Sequence, residues 1–114
     1  MTTNNISNEG IDFTKPQKMA ELVDYAEGAV VSRTLAKSPA GTITLFSFAL
    51  GQGLSEHSAP YDAFVEILDG QAELTIGGKK VTASAGDFVI MPANIPHAVQ
   101  SISKFKMLLV MIRG

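Results

Sequence analysis

The sequence predicts an all-β fold, a sandwich or barrel of short strands preceded by an extended N-terminal arm. Three observations carry this. Apolar segments recur at roughly 8–12-residue intervals with Gly and Pro between them, the rhythm of antiparallel β proteins. The segment Gln71–Ile76 alternates strictly, with Ala72, Leu74 and Ile76 on one face and Gln71, Glu73 and Thr75 on the other. No long stretch shows the 3.6-residue period of an amphipathic helix.

Taken in order, residues 1–18 are polar and carry Gly10 and Pro16, which reads as a flexible or extended arm. Residues 19–114 form a single domain. The stretch "KMAELVDYAEG" suits either a helical turn or an edge strand, because it is too short for its period to decide. "AVVSRTLAKS" and "GTITLFSFAL" are strands joined by a turn over Ser38, Pro39, Ala40 and Gly41. "YDAFVEIL" runs into the turn pair Asp69-Gly70. "QAELTI" and "KKVTASA" flank Gly77-Gly78, a two-residue hairpin connection that tolerates positive φ. "DFVIM" and "FKMLLVMI" complete the set. The last of these is apolar on both faces, so it needs cover outside the barrel as well as inside. A second subunit or the N-terminal arm would supply it.

Composition narrows the partners. At 114 residues the chain suits one domain, and a domain this size buries only about two thirds of its unfolded surface. Yet 46% of its residues are apolar, which points to a homodimer that covers part of that surface. Nine basic residues stand against eleven acidic ones, with no basic run beyond Lys79-Lys80, so nucleic acid is not an expected partner. There is no cysteine, which removes disulfides, thiolate ligands and cysteine nucleophiles. The N-terminus lacks the pattern of a signal peptide, and the longest apolar run, residues 107–112, is too short to span a bilayer. The expectation is a cytoplasmic protein without membrane contact.

Two motifs then give the chain a family. "GQGLSEHSAPYDAFVEILDG" places Gly51, His57 and Gly70 at the spacing of the first cupin motif, and "GDFVIMPANIPHAVQS" places Gly86, Pro92 and His97 at the spacing of the second. Over residues 30–114 the chain therefore resembles the cupin superfamily. The resemblance implies a jelly-roll barrel, the double-stranded β-helix of the RmlC-like proteins. It departs from the pattern at four positions. Ala59 stands where cupins place a second His, Ala63 where they place a Glu, Asn94 at a glycine position and Ser101 at an asparagine position. Asn tolerates the left-handed conformation next best after Gly, so that exchange is mild.

Cupins hold a divalent metal with three His and one Glu, and the resemblance leaves only His57 and His97 of that set. If strand alternation runs unbroken from His57, then Ala59, Tyr61, Ala63, Val65 and Ile67 face inward while Glu66, Asp62 and Phe64 face outward. From the second motif, His97, Val99 and Ser101 share a face. The expected pocket is thus His57, Ala59, Tyr61, Ala63, Val65, His97, Val99 and Ser101. A metal site of His57 and His97 alone is incomplete, since formed sites carry three or four protein ligands. A divalent cofactor, where held, is expected to be held weakly. Met91, Met107 and Met111 read as core filler. No Ser-His-Asp set, P-loop or dinucleotide fingerprint occurs. The leading expectation is a small-molecule binding protein with an apolar pocket between the two imidazoles. The alternative is a metal-dependent dioxygenase, isomerase or lyase that uses His57, His97 and a non-standard third ligand such as Asp62 or Tyr61.

Overall fold

The computed structural model describes residues 11, 12 and 14–113. Residues 1–10 of the arm expected over 1–18 lie outside the described residues. Met19–Glu21 forms one turn of 3-10 helix, so the segment whose period suits helix or strand takes the helical option briefly. Nine strands follow among the described residues: β1 (Val30–Ser38), β2 (Gly41–Phe48), β3 (Gly53–His57), β4 (Asp62–Asp69), β5 (Gln71–Ile76), β6 (Lys79–Ser84), β7 (Phe88–Met91), β8 (His97–Ser101) and β9 (Phe105–Ile112). They pair antiparallel into two sheets. One has the order β1-β2-β9-β4-β7 and the other β3-β8-β5-β6. The chain crosses between the sheets repeatedly, which is the jelly-roll arrangement expected.

The turns follow from their residues. Gly77 and Gly78 sit at φ 58° and 82° between β5 and β6, where positive φ matches the twist of a two-residue hairpin. Gly70 ends β4 at φ 76°, and a Cβ there would lie 2.0 Å from the Lys104 carbonyl oxygen. Only glycine fits that corner. Asn94, at φ 66°, is the one non-glycine residue with positive φ among the described residues, in keeping with its place at a glycine position.

The inner faces of the two sheets share one core. Phe48, Val65, Ile67, Phe105 and Met107 come from the five-stranded sheet, and Ala72, Leu74, Ala83 and Val99 from the four-stranded one. Phe48 and Phe105 are directly opposed across β2 and β9, with ring centroids 4.4 Å apart and planes 5° from parallel. Each large side chain buried this way contributes about 1.5–3 kcal/mol, and the stacked pair adds about 0.5–1.5 kcal/mol.

Part of the outer face of β9 is covered, by residues just after the arm rather than by the arm itself, while Ile112 stays exposed. Val23 packs with Leu45 and Leu108 in a second cluster, with Leu22, Val31 and Leu35 beside them. Three side chains of the sheet fasten this segment by its carbonyls. Arg33 Nη1 donates to Leu22 O at 2.8 Å, Ser47 Oγ to Asp24 O at 2.7 Å, and Lys106 Nζ to Ala20 O at 2.6 Å. Residues 20–24 therefore form a strap over the middle of the sheet. Among the described residues no helix is long and apolar enough to cross a membrane.

Candidate functional site

β3 and β8 are neighbours in the four-stranded sheet, and the register sets His57 directly opposite His97. Their rings meet edge to face, with centroids 4.4 Å apart and planes 68° apart. Forty positions of sequence are brought together by one cross-strand pair. Each ring is also tied to its own backbone. His57 Nδ1 lies 2.8 Å from Ser55 O, and His97 Nδ1 lies 3.2 Å from Ile95 O. A carbonyl oxygen can only accept, so in each contact Nδ1 is the donor, and in the neutral ring Nε2 then keeps its lone pair. This is the tautomer in which a histidine accepts a hydrogen bond from a guest or binds a metal at Nε2.

His97 is 9% exposed. Burial holds its pKa below the ordinary histidine value; the contact with Ile95 O opposes that shift and the neighbouring His57 adds to it. Burial therefore favours the neutral form of His97. His57 is exposed and stands nearer solvent.

The two rings open onto a cavity of about 50 Å³ between the sheets. Ala63, Val65 and Val99 line it as the alternation predicts, and Ala59, in the crossover between strands, lines it too, joined by Leu54 and Leu109. Tyr61 and Ser101 do not. Tyr61 turns to Arg113, whose guanidinium donates to its hydroxyl, and lines a separate groove with Lys37 and Thr42. Ser101 is buried, but its Oγ accepts from Gly51 N at 2.8 Å. The reason for Tyr61 is local. β3 ends at His57 and β4 begins at Asp62 in the other sheet, so residues 58–61 are a crossover and alternation does not carry through it. Alternation resumes in β4, where Ala63, Val65 and Ile67 are buried. Glu66 stands opposite Leu108 and Phe88 on the outer face, as its parity requires. Asp62 Oδ1 accepts from Ala93 N at 2.9 Å and does not line the cavity.

Five residues of the cavity wall escape a reading of the sequence as site residues: Leu54, Leu109 and the methionines Met91, Met107 and Met111. Met91 and Met111 flank Ala63 on β7 and β9, in a row that runs Met111, Ala63, Met91 across three strands. The signal is visible, since both lie at inward positions of their strands, but an apolar residue on such a face is core by default. They also explain why the cavity is small. The space freed by Ala59 and Ala63 is partly filled by flexible thioether chains. At about 50 Å³ it admits a water or two or a small ion. A larger open groove of about 460 Å³ near Tyr25, Leu50, Ile102 and Lys104 holds neither histidine.

The donor set implied by the cupin resemblance does not assemble here. Among the described residues no group of three or more His, Cys, Asp or Glu is placed to hold a metal ion. With methyl groups at 59 and 63, no carboxylate among the described residues lines the cavity to offset a divalent charge.

Comparison with known proteins places the chain among the cupins. The family described as Cupin domain matches residues 44–113. A conserved protein of unknown function from Streptococcus pyogenes is 38% identical, with a TM-score of 0.89 over 96% of this chain and 94% of that one. A cupin superfamily protein from Desulfitobacterium hafniense is 33% identical, with a TM-score of 0.84 over 96% of both chains. A cupin 2 conserved barrel domain protein from Leptotrichia buccalis is 42% identical with a TM-score of 0.80; the match covers 82% of this chain and 46% of that longer one. KdgF from a Halomonas species shares the fold at 18% identity and a TM-score of 0.68. No curated protein matches the chain.

Proposed function

The chain is a small single-domain member of the cupin superfamily, and from that premise we propose that it is a binding protein whose guest sits between His57 and His97. The observation that carries this reading is the pair of imidazoles, each with its Nδ1 against a backbone carbonyl, at the edge of an apolar cavity. Two free Nε2 lone pairs would accept hydrogen bonds from a hydroxyl, phenol or protonated acid of a small organic molecule. The apolar wall supplies the remaining affinity by excluding water. Met91, Met107 and Met111 have unbranched, adaptable chains, and a guest larger than the resting volume requires them to re-pack.

A thermal-shift panel of small metabolites in the presence of a chelator tests it. The expected result is a Tm increase with one chemical class of guest, lost in His97→Ala. A flat response across phenols, carboxylic acids, alcohols and carbonyl compounds would remove the reading. A metal-dependent enzyme is the less favoured second reading, because neither Asp62 nor Tyr61 lines the cavity to serve as a third ligand.

The homodimer has support of its own. Ile43, Phe88, Ile90 and Ile112, all well exposed, lie on the outer face of the five-stranded sheet. The row Ile43, Val110, Phe64, Ile90 crosses four adjacent strands without a charged residue. This patch adjoins the strapped area, and a second copy is the occupant in keeping with the apolar composition.

A further inference from the structure

On the reading that the chamber is the binding site, we infer that it takes a soft monovalent cation, Cu(I), through the imidazoles of His57 and His97 and the thioethers of Met91 and Met111. The wall opposite the histidines supplies the first observation. Ala63 occupies the position at which the family pattern has a carboxylate, and its two cross-strand neighbours are Met91 on one side and Met111 on the other. Directly paired residues on one face of an antiparallel sheet have Cβ atoms about 4.5–5.5 Å apart. Both sulfur-bearing chains thus spring from points adjacent to the missing carboxylate. The facing sheet contributes the opposed pair His57 and His97, and all four residues line the same cavity.

Three properties of this donor set select the ion. Thioether and imidazole are the ligands of Cu(I), whereas Mg, Ca and Mn want oxygen. Among the described residues no carboxylate lines the cavity, so a bound cation keeps its full charge. The Born cost of burying an ion grows with the square of its charge, so the penalty for a divalent ion is about four times that for a monovalent one of equal size. Finally, the volume of about 50 Å³ suits an ion without its hydration shell. His97 and Met91 are buried while His57 is exposed, which gives the ion a route in past a ligand that already faces solvent.

The test uses Ag(I) as a redox-inert probe and Cu(I) under anaerobic conditions, each titrated against a chromogenic competitor, followed by X-ray absorption. The chain has no cysteine, so a sulfur neighbour around the metal can come only from methionine. The expected result is one equivalent bound with both sulfur and nitrogen neighbours, and Zn(II) bound more weakly. In Met91→Leu/Met111→Leu, a swap that conserves volume, affinity falls at least about tenfold for loss of two ligands. Absence of binding, a shell without sulfur, or unchanged affinity in the double variant would overturn the inference. Should that variant not fold, the absorption spectra of the unaltered protein and of the single Met91→Leu variant decide the matter by the same criterion, sulfur neighbours present in the first and fewer in the second. An organic guest that binds in chelator while Ag(I) does not bind overturns the cation and leaves the pocket reading intact. Ag(I) held through sulfur when no organic guest shifts the Tm supports the cation and removes the organic guest.

Discussion

At the residue scale, His97 links structure to solution behaviour. Its folded-state pKa lies below the unfolded value of 6.5, chiefly because burial penalises the charged ring. The unfolded chain therefore binds a proton more readily than the folded one. The stability this residue contributes is complete above pH 6.5 and is lost as pH falls through the lowered folded-state value. Chemical unfolding of chelator-treated protein at a series of pH values should show this loss, and His97→Gln should flatten that part of the profile. An unaltered profile in the variant would show that His97 titrates as it does in the unfolded chain. Both histidines are legible as site residues because each falls on a motif spacing. The partnership with Met91 and Met111 is not, because cross-strand neighbours depend on sheet order, which no local pattern carries.

At the scale of elements, the strap over residues 20–24 has three anchors, and Ser47 is the most buried of them, at 0% exposure. Its hydroxyl satisfies the Asp24 carbonyl beneath the strap. Ser47→Ala should cost about 0.5–1.5 kcal/mol, the net contribution of one hydrogen bond, since Asp24 itself is exposed. Denaturant unfolding measures this, with faster amide exchange expected in the strap. A change under about 0.5 kcal/mol, the range of surface substitutions, would show the strap to be loosely held. Most strands are readable from alternation and turn residues, including the hairpin at Gly77-Gly78. β3 and β8 are harder to separate from their surroundings. β3 is followed by a crossover at residues 58–61 that resembles a continuing strand in sequence, and for this reason alternation alone assigns Tyr61 to the cavity.

At the scale of the whole molecule, a two-sheet jelly roll of this size leaves one broad sheet face only partly covered by its own chain. The strap reaches the middle of the sheet, around Leu45 and Leu108, while Phe88, Ile90 and Ile112 stay open toward β4 and β7. Static light scattering should give twice the chain mass at micromolar concentration. Phe88→Glu/Ile90→Lys should give a folded monomer, since both side chains point away from the core. A monomer before substitution would exclude this face as a self-interface. The need for outer cover is legible in the two-faced apolarity of β9. How that cover divides between strap and partner depends on where residues 20–24 fold back, and only the assembled sheet determines that.

Two imidazoles that offer free Nε2 atoms to one cavity underlie both the organic guest and the cation. Long-range nitrogen–proton NMR of the histidine rings tests this directly. At pH 7.5 both His57 and His97 should show a protonated Nδ1 and an unprotonated Nε2, and the Nε2 signals should move when a guest or Ag(I) is added. Rings protonated at Nε2, or Nε2 signals that ignore every guest that raises the Tm, would contradict it.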